Sequence, residues 1–149
     1  PIGKTWMWVD KGFVKDTYGQ TNKNTKSNQI TTQNSRPRCT FTVNPATVKR
    51  GSSTNGVITC TDKDGINDSS MDKSKITEEY AHFKLSVGSV TAIADNDTTT
   101  QSWNVTLNAK TGIFNFAGDT WMWADMGFVK DASGSLSYSV QSNKITTLK

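Results

Sequence analysis

Trp121 and Trp123 stand two residues apart in this 149-residue sequence, a spacing that could serve binding or packing. On a strand their indoles point the same way, with Met122 opposite. Turned to solvent, the pair makes a platform for sugar rings; turned inward, it is packing. The inward placement is favoured, because large aromatics are usually well buried and Trp103 is available to join them. A second candidate is acidic. Asp62, Asp64 and Asp68 bracket Gly65 at spacings that can wrap oxygen ligands around a hard cation such as calcium. The segment lacks the distal bidentate glutamate of an EF-hand loop, and aspartate-rich turns commonly hold no metal. No other cofactor is implied.

Catalysis finds little support. His82 is the single histidine, and its strand position with Tyr80 and Lys84 suggests an exposed face. No Gly-x-Ser-x-Gly elbow is present, and the adjacent Glu78 and Glu79 would point to opposite sides of a strand. Lysines and Asn143 could in principle join in an amide crosslink, but no spacing singles them out. The expectation is a protein that is not an enzyme.

Cys39 and Cys60 are the only cysteines, each in an alternating run with a Pro-containing segment between them. A disulfide is the favoured reading, and it places the chain in an oxidising compartment. The alternative is a pair of buried thiols in a reducing cell. Zinc would need more ligands than two cysteines and one histidine supply.

These residues sit in a duplicated frame. Residues 1–34 align without a gap on residues 116–149, an offset of 115, with 17 identities including Thr5-Trp6-Met7-Trp8 and Phe13-Val14-Lys15-Asp16. Such self-similarity marks a modular array. The chain reads as the tail of one repeat, residues 1–34, followed by a complete module, residues 35–149. Twelve of the identities fall in positions 1–19, and Leu136, Tyr138 and Val140 of the second copy are Thr21, Lys23 and Thr25 in the first. Residues 20–36 therefore read as a polar linker. Trp6, Met7, Trp8, Phe13 and Val14 become a strand without its own domain, and something must cover them, whether the chain's own domain or a neighbour.

From Ser35 onward, short alternating segments are punctuated by turn residues. Cys39, Phe41 and Val43 share a face, as do Ile58 and Cys60; Ala81, Phe83, Leu85 and Val87; and Trp103, Val105 and Leu107. Phe114 and Phe116 precede the Trp121/Trp123 strand. Leu136, Tyr138 and Val140 are expected to close the sheet, and residues 69–79 to form a loop with local helix. The fold class is all-β, an antiparallel sandwich of about seven strands. The charge of +4, from 17 basic and 13 acidic residues without a basic run, argues against nucleic acid. No apolar run reaches the ~20 residues of a membrane helix, so no membrane insertion is expected.

Cys39-Thr-Phe-Thr-Val-Asn-Pro-Ala-Thr-Val-Lys-Arg-Gly51, Val57-Ile-Thr-Cys-Thr-Asp-Lys-Asp-Gly65 and Gly127-Phe-Val-Lys-Asp-Ala-Ser-Gly134 resemble the bacterial immunoglobulin-like repeats of large surface proteins and adhesins. The resemblance spans residues 35–149. It implies an immunoglobulin-like sandwich on the bacterial surface or outside the cell, used as a stalk or adhesive module. Its partners would be neighbouring repeats or protomers, and host or cell-wall glycans. Trp-Met-Trp departs from the pattern, since such repeats usually carry smaller β-branched residues there. Three functions follow: a structural or adhesive repeat; a filament subunit joined by exchange of the strand around Thr5–Val9; and a carbohydrate-binding module using Trp121 and Trp123.

Overall fold

The computed structural model describes residues 3–32, 35–79, 84–94, 97–112 and 116–149, and it divides into two compact units, Pro1–Asn34 and Ser35–Lys149. Ala81, His82, Phe83, Asp95 and Phe114 lie outside the described residues.

The first unit is a hairpin of four short strands: β1 (Gly3–Thr5), β2 (Trp8–Val9), β3 (Thr25–Lys26) and β4 (Ile30–Thr32). β1 pairs antiparallel with β4 and β2 with β3. This corrects the linker expected over residues 20–36. The segment is polar because its strands carry Thr and Lys, but its main chain still closes two ladders.

The second unit contains β5 (Arg38–Val43), β6 (Thr47–Lys49), β7 (Ser53–Thr61), β8 (Ile66–Asn67), β9 (Ile76–Glu78), β10 (Leu85–Ile93) and β11 (Thr100–Ala109). It continues with β12 (Gly118–Thr120), β13 (Met122–Ala124), β14 (Lys130–Asp131), β15 (Val140–Gln141) and β16 (Ile145–Leu148). Strict alternation builds the first sheet, in the order β10-β11-β7-β5, with Ile58, Cys60, Trp103, Val105 and Leu107 all turned inward. In the second sheet β9 flanks β13 and β13 flanks β15, while β12 flanks β16 and β16 runs parallel to β6. β12 and β13 are halves of one strand interrupted at Trp121, and β15 and β16 are halves of the next. In immunoglobulin lettering the sheets are A (β5), B (β7), E (β11), D (β10) against C (β9), F (β12, β13), G (β15, β16), with A′ (β6) beside G. The unit is an all-β immunoglobulin-like sandwich.

Both sheets supply the core: Phe41, Val43, Ile58, Trp103, Val105 and Leu107 from one, and Val48, Ile76, Phe116, Met122 and Ile145 from the other. Cys39 and Cys60 form a disulfide between directly opposed residues of A and B, within one sheet. Antibody domains instead link B to F across the core. Here the bridge closes the loop that carries A′ over a sequence separation of 21, and in the chain-entropy model that contributes about 3 kcal/mol.

Two further expectations are corrected. Residues 69–79 hold single 3-10 turns at Asp68–Ser70 and Lys73–Lys75, but the segment ends in strand C, Ile76–Glu78. Leu136 and Tyr138 are exposed, and Ser137 is the buried residue between them. Its hydroxyl accepts the Val129 N–H and its own N–H reaches the Val129 carbonyl, which turns the apolar neighbours outward. The closing strand is G, whose Ile145 and Thr147 are fully buried. Among the described residues no helix is long and apolar enough to cross a membrane.

Candidate functional site

The F–G hairpin, residues 116–149, presents two faces. Thr120, Met122 and Ala124 of strand F are buried, and Trp121 and Trp123 alternate with them on the outer face, half-exposed. The favoured inward placement of the indoles is thus reversed. Register explains it: Met122, Trp123 and Ala124 pair with Glu78, Thr77 and Ile76 of strand C, so Met122 and Ala124 take the side on which Ile76 enters the core. Phe116, Phe128 and Val129 occupy the remaining volume, leaving the indoles outside.

Beside Trp123, the side chains of Thr77, Glu79 and Asp125 border an open groove of about 320 Å³. Glu79 accepts a hydrogen bond from Gln141 Nε2 at 3.0 Å, on the outer face. Glu78 turns the other way and accepts from the Thr120 hydroxyl at 2.6 Å and the Leu85 N–H at 3.0 Å. One carboxylate therefore serves the fold, while the other lies beside an indole. An aromatic face next to carboxylates can stack a sugar ring and accept its hydroxyls.

The same hairpin occurs in the first unit with the same register. Gly3↔Thr32 and Thr5↔Ile30 become Gly118↔Thr147 and Thr120↔Ile145; Trp8↔Lys26 and Val9↔Thr25 become Trp123↔Gln141 and Ala124↔Val140. The bridge Lys15↔Thr21 becomes Lys130↔Leu136. The Ser27 hydroxyl accepts the Met7 N–H at 2.9 Å and donates to the Asn28 carbonyl at 2.8 Å, and Ser142 does the same with Met122 and Asn143 at the same distances. Asp16 and Asp131 each cap their turn by accepting a backbone N–H four residues on, at 2.8 and 2.7 Å. Gly19 and Gly134 follow with φ of 79° and 88°, a conformation that side chains other than glycine adopt only with strain. The hairpins differ at one ion pair: Lys144 Nζ lies 3.1 Å from Asp119 and, with the Thr146 hydroxyl, holds that carboxyl below its usual range, whereas Lys4 and Gln29 occupy those positions in the first copy.

In the first copy Trp6 and Trp8 also lie on one side of the hairpin. Lys26 Nζ sits 4.1 Å from the Trp6 ring centroid and 5.2 Å from that of Trp8, a cation–π contact worth about 0.5–1 kcal/mol at an exposed site. Phe13 and Val14 are exposed with them.

Asp62 is buried and occupied: the Ser35 hydroxyl donates to both its oxygens at 3.1 Å, and the Asp64 N–H to one at 2.9 Å. Asp64 and Asp68 are exposed, and among the described residues no group of three or more histidine, cysteine or acidic side chains could hold a metal. Asn143, which the sequence offered only as a crosslink candidate, clamps the end of strand A. Its Oδ1 accepts the Val43 N–H at 2.7 Å and its Nδ2 donates to the Val43 carbonyl at 3.1 Å, replacing a strand partner. The signal was present in the retained Ser27-Asn28 and Ser142-Asn143 pairs.

No family model matches the chain, and no curated protein matches it. Among solved structures it is similar to the BIgI domain of beta protein from S. agalactiae bound to CEACAM1. The TM-score is 0.32 and the identity 17%, over 73% of this chain and 93% of that one. The strand order above is what identifies the fold.

The two faces of strand F make opposite demands. Replacing both Trp121 and Trp123 with Thr should leave a cooperative unfolding transition, while Met122→Asp should abolish it by burying a charge, at a cost of several kcal/mol. Thermal melts followed by circular dichroism decide this. Loss of folding in the Trp variant with a tolerated Met122→Asp would reverse the assignment of faces.

Proposed function

We propose that this chain is part of a tandem array of immunoglobulin-like modules in a bacterial extracellular or cell-surface protein, with a structural and adhesive role and no chemistry of its own. The observation that carries this reading is the recurrence of one F–G hairpin at an offset of 115 with identical register. The Cys39–Cys60 disulfide supports an oxidising location. The motifs around Cys39, Cys60 and Gly127 support the surface-repeat family.

The module suits extension under load. A′ lies near its start and G at its end, and they pair in parallel. Tension along the chain therefore loads their hydrogen bonds together in shear, whereas an antiparallel hairpin would open one bond at a time. The disulfide ties strand A to strand B and keeps the loop that contains A′ from being drawn out once the sheets separate. Single-molecule extension of the chain, tethered at its ends, should show one cooperative rupture for residues 35–149. Reductant should lengthen the released chain by roughly 7 nm, the reach of the enclosed loop. Featureless extension at low force would contradict the stalk role.

A second reading, contact with carbohydrate, is favoured by the outer-face Trp121/Trp123 pair, of which Trp123 borders a groove with Glu79 and Asp125. Purified cell-wall polysaccharide should then shift or quench tryptophan emission, and the Trp121→Thr/Trp123→Thr variant should lose most of the effect. An unchanged spectrum at saturating glycan would eliminate this reading.

A further inference from the structure

We infer that the first hairpin is the F–G half of a second sandwich, and that its inner face is built to receive an A–E half of the same kind as residues 35–115, carried ahead of it in the same polypeptide. This rests on the tandem-array reading and names the partner of the first hairpin.

The molecule itself shows the complex. In the second copy the hairpin is seated on its A–E half, and Met122, Phe128, Val129 and Ile145 are at most 1% exposed. Their counterparts Met7, Phe13, Val14 and Ile30 are the same residue types, held by the same hydrogen bonds, and are 68%, 78%, 58% and 41% exposed. Core residue types have thus been retained at positions that are exposed in the first hairpin. A hairpin evolved as an end in itself would carry polar residues there.

The polar edges match as well. In the second copy the Trp121 and Phe128 carbonyls accept the N–H groups of Glu79 and Asp72 at 2.8 and 2.7 Å, and the Asp125 and Thr146 N–H groups donate to Lys75 and Ala46 at 2.9 and 2.8 Å. The first copy presents the same main-chain groups at Trp6, Phe13, Asp10 and Thr31. Asn28 stands where Asn143 clamps the end of strand A. These groups call for the end of strand A, the approach to A′ and the segment from Asp72 through Glu79 together, which a single exchanged strand could not supply.

A second copy of the chain is a poor source of that half. Each A–E half is already filled by its own covalently attached hairpin, which competes at a high effective concentration. The order of the array, A–E before F–G, places the missing half ahead of Gly3. Of the fully buried positions three differ: Pro1 stands for Phe116, Asn22 for Ser137 and Val9 for Ala124, the last adding volume opposite strand C. The natural partner should therefore carry a smaller residue near the equivalent of Ile76, which pairs with Ala124.

The test extends the full chain at Pro1 with a copy of its own residues 35–115, and compares it with the unextended chain, each with and without Phe13→Ala. A parallel extended chain carries Val9→Ala to relieve crowding. In the unextended chain Phe13→Ala should leave the melting profile unchanged. In the extended chain, with either residue at position 9, a second cooperative transition should appear, and Phe13→Ala should lower it by roughly 10 °C or more. If both extended chains lack that transition, or show it without sensitivity to Phe13, the inference is overturned. Either failure would leave the rupture behaviour of residues 35–149 untouched, so the stalk reading stands or falls separately.

Discussion

A β-hairpin has two faces, and closing a sandwich requires that one of them be dry. In residues 116–149 that face is Met122, Ala124, Phe128, Val129 and Ile145, all within one core with Ile58, Trp103 and Leu107 of the opposite sheet. The rest of the second unit depends on it. The pairing of C with F, the parallel contact of A′ with G, and the Asn143 clamp on strand A all form along edges of this hairpin. Fully burying each large apolar side chain is worth about 1.5–3 kcal/mol, so the seated hairpin dominates the cohesion between the sheets. The same face in residues 1–34 lacks that burial, and the contrast makes the duplication informative about assembly.

The outer face follows from the inner one. Since Met122 and Ala124 fill the core, Trp121 and Trp123 must lie outside, although tryptophan is the bulkier and more often buried residue. The indoles therefore lie on the outer face of the hairpin, partly buried. Their repetition at Trp6 and Trp8 places an aromatic pair at a fixed position on each hairpin. In the first copy that pair is partly covered by Lys26.

Strands A, B and E were legible in the sequence because each is buried on one face and long enough for alternation to show, as in Phe41 and Val43 or Trp103, Val105 and Leu107. Strands C and G were not. C is the three-residue Ile76–Glu78, hidden behind two 3-10 turns. G was placed too early: Leu136, Tyr138 and Val140 alternate well, but the hydrogen bonds of Ser137 to Val129 turn Leu136 and Tyr138 outward, and only Val140, which packs against the core, belongs to G. Its true inward residues include Thr147, whose hydroxyl bonds the Phe116 and Gly118 carbonyls and so resides in the core without looking apolar. The outward Trp pair escaped for a related reason, since alternation shows that two residues share a face but not which face it is. The five identities in positions 20–34 held the missing information, for they include Ser27, Asn28 and Ile30, residues that form the hairpin rather than a linker.

The central claim is that one hairpin exists twice, once completed and once open. Amide hydrogen exchange on the intact chain reads this directly at two equivalent bonds, the Ser27 N–H to the Met7 carbonyl at 2.9 Å and the Ser142 N–H to the Met122 carbonyl at 2.8 Å. The geometry is the same, so only the burial around it differs. The Ser142 amide should exchange only through global unfolding, and the Ser27 amide faster by several orders of magnitude through local opening. Equal protection at the two sites would contradict the account, because the first hairpin would then need no partner.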